Sequence, residues 1–289
     1  MNRLWYVLPF FWLQGERPPS SSHAVFRVDT PYHESFTLPP YRVVGRTPSR
    51  IQEALTVHVG REYADWARSV ASAWQGIPYG SGGAGLGPQE ILLNLEQMDC
   101  MTAVENLLAL HLTYKMGSSG VEGMTRALAR VRYATPLPCR WEDRYHYFTH
   151  ALLAWELEGW GACLPLGVRD KRPIRYISSH PERYRGFRDW EAIRSIEKTL
   201  SVKPRYYIPS PEMGEWLFAL RDGDIIAFVS SEEGLDVSHV GVFFWEGSQA
   251  TFSHASLKER KWVWGEDLCA YLDRRRGKVM GITVFRPYP

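Results

Sequence analysis

This sequence has few cysteines and a net charge close to zero, and each of these features excludes a class of protein. Only four cysteines occur in 289 residues, with no Cys-x-x-Cys pair and no spacing suited to a metal, so a cysteine-held zinc site is not expected. The formal net charge is only +2, which argues against the basic surface that nucleic-acid binding requires. We therefore predict no metal and no nucleic-acid partner.

Long hydrophobic runs are also missing. The longest is LWYVLPFFWL, over residues 4–13, and it is too short for a stable membrane span. It follows a short positive start and precedes a polar stretch that ends at residues 22–24, which is the order of a secretory signal. Residues 1–24 are therefore predicted to be a signal peptide or, alternatively, a hydrophobic arm packed on the domain. A signal peptide would place the protein in the periplasm or cell envelope, where Cys139 and Cys163 could pair, whereas an arm would leave it cytoplasmic.

No internal repeat or low-complexity linker divides the rest of the chain, so residues 25–289 are predicted to form one domain, and we expect a monomer. Helical spacing of apolar residues predicts helices from Thr47-Pro48 to about His58 and over 63–74, 99–112, 121–131, 144–158 and 189–199. Short β-rich runs separated by turn residues predict strands over 224–229, 238–245, 250–255 and 279–285. Helices followed by an antiparallel meander indicate the α+β class.

Aromatic residues are plentiful, with 12 Trp and 15 Tyr. Such side chains supply packing area and also line grooves for sugars and peptides, which favours a cleft in this protein. The glycine-rich segment GIPYGSGGAGLGP, over residues 76–88, is not a phosphate-binding loop, because no Lys-Ser or Lys-Thr follows its glycines. We interpret it as a flexible connector.

The candidate nucleophile is Cys100, in the segment MDCMTAVENLLAL at the predicted start of a helix. Asp99 suits the N-cap position, and an apolar stripe follows it. A cysteine in the first helical turn feels the positive end of the helix dipole, which favours the reactive thiolate. Since the Asp99 carboxylate opposes that effect, the thiol requires a basic partner. Without one, Cys100 is better explained as a packed residue.

Two histidines on neighbouring predicted strands can supply that base. His239 lies in SHVGVFFW and His254 in TFSHAS. A hairpin loop at Glu246-Gly247 would place them directly opposite each other, and a loop at Gly247-Ser248 would place them diagonally. Both registers put them on one sheet face, because side chains alternate with period two. We expect His239 to act as general base and His254 to fix its tautomer, since two histidines without a carboxylate make an incomplete zinc site.

Several further segments occur in an order typical of one protein family. They extend from about residue 76 nearly to the end of the chain: GIPYGSGG, LNLEQMDCMTAVENLLAL, RVRYATP, RYHYFTHALLAW, SSHPERY, YYIPSPE, DGDIIAF, GLDVSHVGVFFWEG, HASLKERKWVW and GITVFRP. With these segments the sequence resembles the N-acetylmuramoyl-L-alanine amidase-like branch of the NlpC-type cell-wall cysteine peptidase superfamily.

The resemblance implies a papain-like α+β core in which helices pack on an antiparallel sheet. It implies Cys100 as nucleophile, His239 as base and His254 as the third catalytic residue, with no cofactor. It also implies that Tyr79 lines the active site and holds the substrate or the oxyanion, although loop packing is the simpler alternative. His146, in the RYHYF segment, is expected to be a cleft residue.

The substrate that the resemblance implies is a peptidoglycan fragment, cleaved through a thioester at the amide between N-acetylmuramic acid and L-alanine. One alternative is a γ-D-glutamyl endopeptidase that acts on muropeptides. Another is a thiol acyltransferase or lipid amide hydrolase, which a long apolar channel would favour over an aromatic, polar groove. A cell-wall-binding module without catalysis is the third, and the joint presence of Cys100, His239 and His254 argues against it.

Overall fold

The computed structural model describes residues 37–80, 90–135, 143–184 and 189–289. Its helices are α1 (Thr47–His58), α2 (Tyr63–Ala73), α3 (Cys100–Lys115), α4 (Gly120–Arg132), α5 (Phe148–Leu157), α6 (Tyr176–Ser179), α7 (Trp190–Val202), α8 (Met213–Trp216) and α9 (Leu268–Arg274). Its strands are β1 (Tyr41–Val43), β2 (Ile91–Leu93), β3 (Gly161–Leu164), β4 (Val168–Arg169), β5 (Tyr206–Pro209), β6 (Ile225–Ser230), β7 (Val237–Glu246), β8 (Gln249–Ser256), β9 (Lys261–Asp267) and β10 (Val279–Pro287). The segment 1–24 and Cys139, on which the signal-peptide and disulfide predictions fall, lie outside the described residues.

The predicted helices form, with shifts at some of their ends. In α1, Pro48 occupies the first turn, where a missing N–H is tolerated because that position has no intrahelical acceptor. The largest shift is in α5, which begins at Phe148 rather than at residue 144. Arg144 instead forms an antiparallel bridge with Tyr133, at the end of α4. This extended pairing keeps the segment before α5 out of the helix.

The predicted strands belong to one large antiparallel sheet of eight strands. Its order is β4-β5-β10-β6-β7-β8-β9, and β3 also pairs with β10. A separate two-stranded pair of β1 and β2 is parallel. The sequence patterns do not predict β9 or the short strands β3, β4 and β5. In β9, Gly265 has a φ of +68°, a conformation that interrupts the alternation by which a strand is identified.

Helix α3 is the centre of the main core. It contacts α1, α2 and α4 on the helical side and β7 and β8 on the sheet. Every residue from Thr102 to Thr113 is buried, which explains why apolar residues occur around the whole helix rather than along one stripe. Its carboxylate, Glu105, lies 2.7 Å from Arg132 Nε and 2.8 Å from Arg144 Nη2, so its buried charge is paired. These ion pairs fix α4 and the segment before α5 against the helix that begins at Cys100.

Helices packed on an antiparallel sheet confirm the predicted α+β class. A second core lies beneath α8 and α9, against the far side of β6 and β10. Within the four described ranges, no helix is both long and apolar enough to cross a membrane.

Candidate active site

Cys100 is the first residue of α3, as predicted, and a reciprocal pair of hydrogen bonds fixes this helix start. Asp99 Oδ1 accepts from the Thr102 N–H at 2.7 Å, and Thr102 Oγ1 accepts from the Asp99 N–H at 2.9 Å. The two residues form a capping box, which satisfies backbone donors that a helix start otherwise leaves unpaired. Local sequence alone therefore places the thiol at the N-terminus of a buried helix.

The thiol of Cys100 is half-buried and neutral at rest. Burial raises its pKa to about 12, and the adjacent Asp99 charge acts in the same direction. Backbone groups of Val240, Met101 and Cys100 itself lower that pKa, but their effect is smaller than that of burial. The contact with Val240 is informative, because this residue follows His239 on β7. The helix start thus meets the strand that carries the predicted base.

His239 and His254 form the predicted pair. Of the two predicted arrangements, the diagonal one is present. Glu246 pairs with Gln249, so the hairpin loop is Gly247-Ser248. The imidazoles are joined directly, with His239 Nε2 2.6 Å from His254 Nδ1. The expectation that both side chains share one sheet face is therefore confirmed.

Gly241 lies directly across from His254 in the pairing of β7 with β8 and leaves room for the diagonal contact. A Cβ atom at this position would come within 2.8 Å of the Phe252 ring and the Ser253 carbonyl, and within 3.2 Å of His254 Cβ. A larger residue would therefore collide with Phe252 and with the β8 backbone beside His254. The glycine in the S-H-V-G segment has a steric role at the site.

Aromatic rings enclose the histidine pair. The His239 ring centroid lies 5.7 Å from that of Phe228 and 6.0 Å from that of Tyr271, while His254 stacks on Phe252 at 4.6 Å. Burial lowers the pKa of His239 well below 6.5, and the charge that His254 would carry when protonated and the charge of Arg275 act in the same direction. His239 is accordingly neutral at rest, the state in which it can accept a proton.

Tyr271, on α9, was not predicted and borders both halves of the site. Its ring is near His239, and its pKa is raised, first by burial and in part by the negative charge that Cys100 would carry. No periodic pattern identifies this residue, because α9 has only seven residues. Its place at the site comes from the packing of α9 beneath β8 and β9.

Glu266, on β9, is the second residue that sequence reasoning missed. Its Oε2 lies 2.6 Å from His254 Nε2, and its other oxygen is bonded to Arg274 of α9. The hydrogen bond with His254 lowers the pKa of Glu266 below its usual range, and the Arg274 charge acts in the same direction. Glu266 is therefore an ionised neighbour of the histidine pair.

A β-bulge turns Glu266 toward the histidines. His254 pairs with Val263, but Phe252, two residues earlier, pairs with Glu266, so the register shifts by one residue between these pairs. A one-residue shift moves side chains to the other face of a strand. Gly265, with its positive φ, lies at this shift, and it brings Glu266 to the face that Phe252 and His254 share.

A metal site was not expected here, on the ground that the two histidines lacked a carboxylate. The structure supplies one in Glu266, but the three side chains form a line in which each is hydrogen-bonded to the next. Among the described residues, no group of three or more His, Cys, Asp or Glu side chains is arranged to hold a metal ion.

Tyr79 lies beside Cys100, the candidate nucleophile. It bridges to Met98, the second residue before Cys100, and its N–H donates to the Arg260 carbonyl at 2.9 Å. Burial raises the pKa of Tyr79 to about 12, and the charges of Cys100 and Asp99 contribute to this rise. His146 is half-buried in the segment that leads into α5, and its place in a cleft stays a prediction.

Solved structures share this fold over most of the chain. An N-acetylmuramoyl-L-alanine amidase from Bacteroides uniformis is 27% identical with a TM-score of 0.72, and the match covers 78% of this chain and 99% of that one. A protein from Bacteroides fragilis named as a candidate xylanase is 30% identical with a TM-score of 0.68, over 75% and 98% of the two chains. A Legionella pneumophila protein, at 19% identity and a TM-score of 0.66 over 84% and 95%, shows the fold alone. No match was found among curated protein sequences.

A family model gives the chain its assignment. The model of the family described as N-acetylmuramoyl-L-alanine amidase-like matches residues 69–282, a range that includes Tyr79, Cys100, both histidines of the pair and Glu266. The match extends from the end of α2 into β10. The chain therefore belongs to the N-acetylmuramoyl-L-alanine amidase-like family.

Proposed function

We propose that this protein is a cysteine hydrolase with a papain-like core that cleaves an amide bond in peptidoglycan fragments. The proposed bond joins N-acetylmuramic acid to L-alanine. Family membership and the amidase name of the Bacteroides uniformis relative support a hydrolase that acts on cell-wall material. The observation that carries the cysteine mechanism is the thiol of Cys100, held at a capped helix start against the β7 backbone beside His239.

Both partners are neutral at rest, so proton transfer accompanies attack. The Cys100 sulfur attacks the amide carbonyl as its proton passes to His239, and His239 then protonates the departing amine. Water hydrolyses the thioester, again with His239 as base. The N–H of Cys100 at the start of α3 is the proposed donor to the oxyanion, and the helix dipole favours negative charge there.

Tyr79 and His146 are proposed to contact the substrate, Tyr79 because it adjoins the thiol.

A γ-D-glutamyl endopeptidase that acts on muropeptides would use the same Cys100 and His239, so bond choice separates it from an amidase. For an acyltransferase or lipid hydrolase, an apolar channel at Cys100 would be needed. The cavity of about 350 Å³ between α5, β3 and β5 is lined by other residues, such as Leu152, and does not supply one.

We further propose a periplasmic or envelope location, on the basis of the signal-like segment 1–24.

The deciding experiment compares Cys100→Ala with the wild type on defined muropeptides, with products identified by mass spectrometry. We expect the wild type to release an L-alanine-bearing peptide and Cys100→Ala to release none, because the substitution removes the nucleophilic sulfur. Cys163→Ala is the matched control, since this half-buried cysteine lines the separate cavity, and it should retain activity. Activity in a folded Cys100→Ala protein would refute the mechanism, and a product cut after D-glutamate would support the endopeptidase.

A further inference from the structure

Three side chains connect the interior of the sheet to its edge in one unbroken line. His239 Nε2 lies 2.6 Å from His254 Nδ1, and His254 Nε2 lies 2.6 Å from Glu266 Oε2. Each imidazole uses one nitrogen toward the next group. The protonation state of Glu266, at the end of the line, therefore determines which nitrogen of each imidazole carries the proton.

Glu266 supplies that end, and it accepts rather than donates. Its carboxylate is ionised, since hydrogen bonding to His254 lowers its pKa below the usual range. His254 must then donate from Nε2, which leaves its Nδ1 as an acceptor in the neutral imidazole. His239 in turn must donate from Nε2 to that nitrogen. Its own Nδ1 is left with a free lone pair.

We infer that Glu266 is a positioning residue, acting through His254 to hold His239 in the tautomer whose Nδ1 accepts the proton of the Cys100 thiol. This inference rests on the proposed cysteine mechanism and adds a fourth member to its line of residues. When the thiol attacks, its proton moves to His239 Nδ1 and the new imidazolium faces His254. The Glu266 carboxylate then stabilises the positive charge across the shared hydrogen bonds.

Glu266 is itself held in place by two neighbouring elements. Arg274 of α9 binds its second oxygen, which leaves the first directed at His254. The bulge at Gly265 gives β9 the one-residue shift that this direction requires. Glu266 is largely buried, with 23% of its side chain exposed, so water does not replace the hydrogen bond readily.

The charged and titratable groups around this line are few. They are His254 on β8, Asp267 at the end of β9, Cys100 at the start of α3, and on α9 Arg274, Arg275 and Tyr271. Loss of the Glu266 charge leaves Arg274 and Arg275 near the histidine pair with less negative charge to balance them, because among the described residues only the Asp267 carboxylate still acts on Arg274. This lowers the pKa of His239 further and weakens it as a base.

Glu266→Gln tests the inference, because glutamine keeps the shape and a hydrogen-bonding oxygen but removes the charge. We expect kcat on muropeptides to fall about 10- to 100-fold with little change in KM, and the acid limb of the kcat/KM profile to move to lower pH. Glu122→Gln, which removes an exposed carboxylate on α4, is the matched control and should match the wild type. Unchanged kcat and an unchanged acid limb in Glu266→Gln would overturn the inference.

A second measurement does not depend on activity. In the wild type, long-range ¹H–¹⁵N correlation spectra of the imidazoles, assigned with single histidine variants, should show protonated Nε2 and bare Nδ1 on both His239 and His254. Protonated Nδ1 on His254 would overturn the inference even if Glu266→Gln failed to fold. An active Cys100→Ala protein would instead refute the proposed function and leave the tautomer assignment standing.

Discussion

The described residues include two hydrogen-bonded pairs of histidines, and the pairs differ in the group that the last nitrogen of each meets. His239 Nε2 lies 2.6 Å from His254 Nδ1, and His58 Nε2 lies 2.9 Å from His111 Nδ1. Burial is the main cause that lowers the pKa of His239, and likewise those of His58 and His111. A hydrogen-bonded histidine pair is therefore not by itself the mark of an active site.

The two pairs differ in the group that accepts the hydrogen bond from the last imidazole nitrogen. His254 Nε2 meets the Glu266 carboxylate, whereas His111 Nε2 lies 2.9 Å from the backbone carbonyl of Tyr288. A carbonyl fixes a tautomer as well as a carboxylate does, but it carries no charge to stabilise an imidazolium. The surroundings differ too, because His58 stacks on the rings of Trp66 and Tyr114, while His239 adjoins the strand backbone that the Cys100 thiol contacts.

The largest expected effect separates the pairs by function. His239→Ala should lower kcat/KM on muropeptides by about 10²- to 10⁴-fold, because it removes the proposed general base. His111→Ala should leave kcat/KM near the wild-type value but lower the free energy of unfolding by about 2–4 kcal/mol, since it empties a buried site and leaves His58 without its acceptor. Activity assays and urea unfolding of both variants make the comparison. Equal loss of activity in two folded variants would contradict it.

A smaller effect concerns pH and stability. The pKa of His111 is lowered to about 4 in the folded protein, against 6.5 for an ordinary histidine, and the residue is 1% exposed. Between pH 6.5 and 4, His111 is therefore protonated in the unfolded chain but neutral in the folded one. The stability that is present above pH 6.5 is lost as the pH falls toward 4. The loss for this group is of the order of 3 kcal/mol. Urea unfolding of the wild type and His111→Gln between pH 7 and 4.5 should show a shallower decline in the variant, and parallel declines would disprove the assignment.

The smallest effect is expected at His58, which takes no part in the proposed reaction. His58→Phe keeps the stacking on Trp66 and Tyr114 and removes an Nδ1 that has no hydrogen-bond partner, but it also removes the Nε2 donor to His111. The free energy of unfolding should therefore fall by about 1–2 kcal/mol. The equivalent His254→Phe breaks the line between His239 and Glu266. It should reduce kcat by about tenfold or more. Similar kcat values for the two variants would remove the distinction between the pairs.

Much of the site was predictable because its patterns are local. Asp99 and Thr102 lie within one turn of Cys100, so the capping box that fixes the thiol is readable from adjacent residues. The shared face of His239 and His254 follows from the period of a strand, whichever two-residue loop joins β7 to β8. His111 lies within the helix predicted over 99–112, but nothing local distinguishes its pairing with His58 from that of His239 with His254.

The α+β class, the six longer helices and the strands β6, β7, β8 and β10 were likewise available from periodicity, whereas β9, the short helices and strands, and the start of α5 were not. Arg144 lies in a segment of helical pattern but bridges to Tyr133, because the ion pair with Glu105 holds it in the core. Such pairings join residues far apart in the chain. Local propensity does not report them.

The sequence by itself determined a capped helix start at Cys100 and a pair of strand histidines on a common face. Only the tertiary structure decided that the thiol meets β7 beside His239, and that Glu266 ends the histidine line. The reason is physical: the first features depend on residues a few positions apart, whereas the others depend on helix-to-sheet packing and on a one-residue bulge at Gly265. That bulge reverses the face on which Glu266 would otherwise lie.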